Sequence, residues 1–282
     1  IDAAAAAALA LAIWQAPASG QSTNGDPWKP PRTPWGDPDL SGVWDFRPLT
    51  PLERPSELSG KDVLSDEDAA KYEEEALREL DKDRRTGDGL SAEQDVRNAY
   101  NQFWWDYGTK LTDKRTSLIV DPPDGRIPAL TPKAKERAAA RAAALDRPAQ
   151  GPEDRTPWER CLIGFNTGPP MNPSAYNNFV HVFQNRGYVV ILTEMVHDAR
   201  IVPMDGRPHV PSSLRQWRGD SRGRWEGDTL VVDTTNFSAK TSFRGSGAEM
   251  RLSERFTRAD DDTLHYEYTV EDPASFTKSW SA

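Results

Sequence analysis

Residues 178–196, NFVHVFQNRGYVVILTEMV, decide the fold. β-Branched and aromatic residues fill two runs, and Asn185-Arg186-Gly187 separates them. Such side chains pack well on a pleated surface, and the separating residues tolerate a tight turn, so the stretch reads as a β-hairpin. A three-residue loop ending in Gly187 predicts a type I turn followed by a bulge. In that register Val180, Val182, Tyr188, Val190 and Leu192 share one face, and Phe179, His181, Phe183, Val189, Ile191 and Met195 share the other. Both faces are apolar, so the hairpin is expected to be covered on both sides.

The same period-two texture continues toward the C-terminus. Strands are expected at 213–218, 222–226, 229–235, 250–258 and 263–271, with turns at Asp220-Ser221-Arg222-Gly223, Gly227-Asp228 and Asp260-Asp261-Asp262. Consecutive hairpins predict an antiparallel up-and-down meander. A sheet this long removes its edges by closing into a barrel or by curving strongly. The fold class is therefore mainly β, α+β overall. On the N-terminal side, Gly42-Val43-Trp44-Asp45-Phe46 reads as the first strand.

A helical insertion is expected at about 65–145. Ser65 caps a run in which Ala69, Tyr72, Ala76 and Leu80 recur at helical spacing. Residues 91–107 read as a short helix ending in aromatics, and Thr131-Pro132 opens a helix reaching Leu145. Between them, 115–120 and 126–130 flank Asp121-Pro122-Pro123-Asp124-Gly125 as two short strands around a turn. Residues 149–176 and 198–212 read as irregular loops.

The last hairpin singles out one residue. Leu264, Tyr266, Tyr268 and Val270 share a face, as do Met250, Leu252, Glu254 and Phe256. Matching the apolar faces sets Glu254 opposite Tyr266, Phe256 opposite Leu264 and Leu252 opposite Tyr268. A carboxylate on that side needs a partner or a raised pKa. It is either an acid–base group in a cavity or a glutamate held by a tyrosine or an arginine.

Other candidates cluster in the loop after the first hairpin: His197-Asp198-Ala199-Arg200, Asp205-Gly206-Arg207-Pro208-His209 and Arg215-Gln216-Trp217-Arg218. His197 with Asp198 could do acid–base work near neutral pH, and arginine could clamp an anionic group. An ion-pair network pinning the loop would use the same residues. His181 and His197 lie about six residues apart across the hairpin, roughly 20 Å at ~3.3 Å per residue, too far to share one ion. No metal site and no cofactor are expected, because HExxH, GxGxxG and Walker patterns are missing from the sequence.

Composition bounds the partners. The 282 residues carry a formal charge of −9 without a long basic run, a poor match to nucleic acid. Residues 3–13, AAAAAALALAI, form an apolar run too short to span a bilayer, and Ala16-Pro17-Ala18 follows as a small-x-small cleavage pattern. Residues 1–18 therefore read as a signal peptide, 19–39 as a Pro/Gly-rich leader and 40–282 as one β-rich domain, with a periplasmic or secreted location and no stable membrane insertion. Cys161 is the one cysteine. It is expected either to be buried and inert or to pair outside the sequence given.

Tyr176-Asn177-Asn178, Glu194-Met195-Val196-His197-Asp198-Ala199-Arg200, Gly206-Arg207-Pro208-His209 and the run from Gly219-Asp220-Ser221-Arg222-Gly223-Arg224-Trp225-Glu226-Gly227-Asp228 to Asn236-Phe237 resemble an uncharacterised exported bacterial protein family. The resemblance covers roughly 35–280. It implies export and a tail carrying a further cysteine for Cys161, and it supplies no activity. Gly42-Val43-Trp44 is also similar to the G-x-W of calycins, the lipocalin-like barrels, from which the helical insertion departs.

These readings converge on a cell-envelope protein that binds a small, partly apolar ligand. Trp44, Phe256, Tyr266 and Tyr268 would line the cavity, and Arg200, His209, Arg215 and Trp217 would form its mouth. The alternatives are a cofactor-independent lyase, isomerase or hydrolase using His197, Asp198 and Glu254, or a structural envelope protein. The oligomeric state is left open.

Overall fold

A computed structural model of the chain describes residues 28–81 and 102–282. The expected signal peptide and most of the expected 91–107 helix lie outside the described residues. Among the described residues the architecture is mainly β: two antiparallel sheets and two α-helices. The four-stranded sheet runs β1 (Gly42–Asp45), β2 (Phe179–Gln184), β3 (Tyr188–Thr193) and β4 (Asp198–Pro203) in order. The five-stranded sheet runs β5 (Asp220–Glu226), β6 (Thr229–Thr235), β7 (Arg251–Arg258), β8 (Leu264–Glu271) and β9 (Trp280–Ser281). Each sheet is an up-and-down meander, but the ladder is interrupted between β4 and β5 and does not join β1 to β8 or β9. Among the described residues no closed barrel forms.

The decisive hairpin closes one residue tighter than its loop predicts. Asn185 Oδ1 accepts from the Gly187 and Tyr188 N–H groups, both at 2.9 Å, and the Asn185 N–H donates to the Tyr188 carbonyl. The asparagine side chain thereby takes the place of a turn carbonyl, an Asx arrangement. The register becomes Val182 opposite Ile191 and Val180 opposite Thr193. A one-residue slip exchanges the faces of one strand. Val180, Val182, Val189 and Ile191 now share the buried face with Val202 of β4. The opposite face is not covered as expected: Val43 and Ile201 are 61% exposed, and Phe183 is open to solvent as well.

Those inward residues pack against Leu230, Val232 and Phe256 of the second sheet, with Leu40 and Met171 in the same cluster. The sheets thus lie face to face over one core. Gly223 in β5 permits their close approach at the β4–β5 corner. A Cβ there would sit 2.3 Å from Met204 Sδ and 2.9 Å from Val202 Cγ1. The sequence reading puts Gly223 where the 220–223 turn meets the expected 222–226 strand, and reads β4 as loop. The chain enters that strand from β3 through a 3₁₀ turn, Met195–His197, with positive φ at Val196 and His197.

A second core lies at the other end of the five-stranded sheet: Ile119, Phe237, Leu252, Val270, Phe276 and Trp280. The expected strands at 115–120 and 126–130 do not form a hairpin. Residues 120–121 instead run beside β9, bonded to Ser281, and Leu130 bridges to Phe276. The expected strand at 213–218 is likewise a turn-rich segment with one bridge, Gln216 to Phe237.

The helices form where their caps predict. Ser65 Oγ accepts from the Asp68 N–H and opens α1 (Asp66–Leu80); Thr131 Oγ1 accepts from the Ala134 N–H and opens α2 (Pro132–Leu145). Arg137 ties α2 to the Gly245 carbonyl and Ser275 Oγ, both at 2.8 Å.

Candidate functional site

Two features between the sheets meet at Tyr266. The first is a buried polar centre. On β4 the inward positions are Asp198, Arg200 and Val202, so Arg200 projects into the intersheet space. Glu254, on the inward face of β7, meets it with 0% exposure. Arg200 Nη1 and Nη2 donate to the two carboxylate oxygens at 2.5 and 3.0 Å, a bidentate fork. Tyr266 donates its hydroxyl to Glu254 Oε1 at 2.7 Å and accepts from the Met171 N–H at 3.0 Å. Burial opposes the charge on Arg200, but the adjacent Glu254 carboxylate outweighs it and raises the guanidinium pKa further. Burial, reinforced by the Glu254 charge, holds the Tyr266 phenol well above its ordinary value, so it stays a donor. Glu254 is thus on the apolar side, as its alternation predicts, and held by both a tyrosine and an arginine. The register differs by two residues: Glu254 stands opposite Tyr268, Phe256 opposite Tyr266 and Leu252 opposite Val270.

The second feature is a cleft of about 490 Å³ where the sheets fail to join. Its walls include Trp44 and Phe46 on the β1 side and Phe256, Leu264 and Tyr266 on the other, with Met171 and Val180 also lining it. Trp44 is fixed by its indole N–H donating to the Leu40 carbonyl at 3.0 Å. Arg258 lies over the Trp44 ring, 5.4 Å from its centroid, a cation–π contact. Its guanidinium donates to the backbone carbonyls of Asp39, Asp260 and Asp261, and Asp261 and Asp262 complete the rim.

No protein-family model matches this chain, and neither does any curated protein or any solved structure.

The residues singled out from sequence fall into several neighbourhoods. Trp44, Phe256 and Tyr266 share the cleft. Tyr268 belongs to the second core, where burial raises its pKa and its hydroxyl lacks a hydrogen-bond partner. Arg200 sits inside the core rather than at a mouth. His209 Nδ1 lies 2.9 Å from Asp220 Oδ2, which also accepts from the Val210 N–H, and Arg222 pairs with the other oxygen at 2.7 Å. Arg215 reaches the Ala248 carbonyl and Glu249, and Trp217 lies near Arg141 and Leu145 of α2. These four do not converge on one mouth, because each is anchored to a different part of the second sheet or its flanking loops. His197 is exposed on its 3₁₀ turn, while Asp198 is buried and ion-paired to Arg218. No hydrogen bond or ion pair among the described residues joins His197 to Asp198 or to Glu254. Cys161 is exposed, not buried, and its thiol is free. No metal-binding cluster occurs among the described residues, and no described helix is long and apolar enough to cross a membrane.

Sequence reasoning missed Met171, Arg258 and Leu264 as cleft residues. It also missed the hub behind them. Asn178 is fully buried; its Oδ1 accepts from the Ser174 N–H at 2.8 Å, and its amide donates to the Ser174 and Asp106 carbonyls. Asn166 donates from the same cluster to the Asn177 carbonyl at 2.8 Å. Four asparagines in the surrounding loop, Asn166, Asn172, Asn177 and Asn178, were the signal available.

Proposed function

We propose that this chain is an exported cell-envelope protein that binds a small, partly apolar ligand in the cleft between its sheets. The observation that carries the reading is the composition of the cleft: aromatic and aliphatic walls with one guanidinium held over Trp44 at the rim. Ligand sites are concave, mostly apolar and furnished with a few placed polar groups, over a range of about 300–1,000 Å³. The cleft meets each description. An apolar body would lie between Phe256, Leu264 and Trp44, and a polar end would reach Arg258 or the Asp261–Asp262 rim.

The acid–base alternative has less support. Both oxygens of Glu254 are occupied by donors, and His197 is on the surface. Export rests on the apolar 3–13 run and Ala16-Pro17-Ala18. Native mass spectrometry of protein purified from its host is expected to reveal a co-purifying small molecule that Trp44→Ala releases. If only the bare chain mass is seen, and Trp44→Ala leaves thermal shifts across a metabolite library unchanged, the cleft is not a binding site.

A further inference from the structure

A second groove, sharing no residue with the cleft, lies between the end of α2 and the 156–170 loop. Its volume is about 370 Å³. Trp158 and Phe165 form one wall, edge to face with centroids 6.5 Å apart, yet they remain 55% and 46% exposed. Aromatic rings left open together mark a surface that gains by being covered. Phe243 lines the same groove and is anchored in the second core, stacked on Trp280 at 5.8 Å.

The charge lining the groove is opposite to that of the chain. Arg141 and Lys240 line it and no carboxylate does, in a chain whose net charge is −9. Lys240 is engaged by Glu153. Among the described residues Arg141 is not paired with any carboxylate, and its one hydrogen bond there is from Nη1 to the Lys240 carbonyl at 3.1 Å. Guanidinium carries five N–H donors in a planar fork, so a free edge suited to a carboxylate, sulfonate or phosphate remains.

We infer that this groove is a binding site for an amphipathic organic anion, its flat apolar body against Trp158 and Phe165 and its anionic group on Arg141. The inference is independent of the cleft, because it needs neither Trp44 nor Arg258.

Two fluorescent probes test it on the full chain: anilinonaphthalene sulfonate, and phenylnaphthylamine, which keeps the rings and lacks the sulfonate. Arg141→Gln is expected to weaken the sulfonate about tenfold, equivalent to about 1.4 kcal/mol, and to leave the neutral probe unchanged. Arg141→Lys should restore part of the loss. Trp158→Ala should weaken both probes, and Trp44→Ala should leave the Arg141-dependent step in place. Thermal melts of each variant matching the parent exclude loss of the fold as the cause. Equal losses of both probes in Arg141→Gln, sulfonate binding unchanged in both Arg141→Gln and Trp158→Ala, or no saturable binding to the parent chain would each overturn the assignment.

Discussion

Glu254→Gln isolates the charge of the intersheet centre at almost no cost in volume. The glutamine fills the same space and can still accept from Tyr266, but it leaves the Arg200 guanidinium, only 9% exposed, without its counter-ion. Removing one partner of a buried pair costs about 3–5 kcal/mol, because the remaining charge stays desolvated. Native domains are stable by only about 5–15 kcal/mol in total. At about 2–4 °C per kcal/mol for a domain of this order of size, the melting temperature should fall by about 10 °C. Replacing both residues by apolar ones, Arg200→Met with Glu254→Leu, should lie much closer to the parent, since two desolvation penalties leave together. Urea unfolding followed by tryptophan fluorescence on the parent, Arg200→Met, Glu254→Leu and the double variant closes a cycle, in which the coupling should be at least about 2 kcal/mol. A Glu254→Gln variant within about 0.5 kcal/mol of the parent, or strictly additive substitutions, would refute the reasoning. The charges would then be solvated rather than sealed between the sheets.

Tyr268→Phe should be neutral or stabilise by up to about 1 kcal/mol, because the hydroxyl it removes is buried without a partner; a loss in the urea midpoint would show that the hydroxyl is satisfied. Tyr266 holds its proton in the folded chain above the pH at which an unfolded tyrosine loses it. The stability this phenol contributes is therefore complete below about pH 10 and is lost as pH rises toward its raised folded value. The urea midpoint should fall above about pH 10, and less steeply in Tyr266→Phe; equal slopes would sink the assignment. Gly223→Ala should destabilise by about 1–3 kcal/mol through overpacking on Met204 and Val202, with partial recovery when Met204→Ala is added. Asp220→Ala removes the shared acceptor of His209, Val210 and Arg222, so limited proteolysis should cut within 204–219 faster than in the parent; unchanged cleavage would mean other contacts hold the loop.

Alternation and caps were the legible part of the fold. Seven of the nine described strands and both described α-helices lie where side-chain period and Ser65 or Thr131 place them. Registers were less legible. The β2–β3 turn depends on Asn185 using its side chain as an acceptor, which loop length does not reveal, and the resulting one-residue slip exchanged the faces of a strand. Glu254 could be identified as buried from its neighbours on β7, yet its partner could not. Arg200 lies on a strand that read as loop, because Val196 and His197 take up left-handed conformations that reverse the chain in three residues. The cleft was half legible for a similar reason. Trp44, Phe256 and Tyr266 alternate on recognisable strands, whereas Met171 and Arg258 reach it from a proline-rich loop and a strand end. Sheet closure is a long-range property, set here by how closely β4 and β5 approach at Gly223, and alternation along a strand does not encode it.

The unjoined seam beside β1 would change how the proposed ligand gets in and out. In a closed barrel a guest passes through the end, and widening that entrance means breaking rungs of the hydrogen-bonded ladder. Among the described residues β1 pairs with β2 alone, so the wall carrying Trp44 is held to the β7–β8 side by side-chain contacts, among them the Arg258 bond to the Asp39 carbonyl and its contact with the Trp44 ring. For the ligand proposed above, entry would be lateral, through this seam. The dimension selecting it would be its thickness, set by the spacing between the sheets, while its length could run along the seam into solvent.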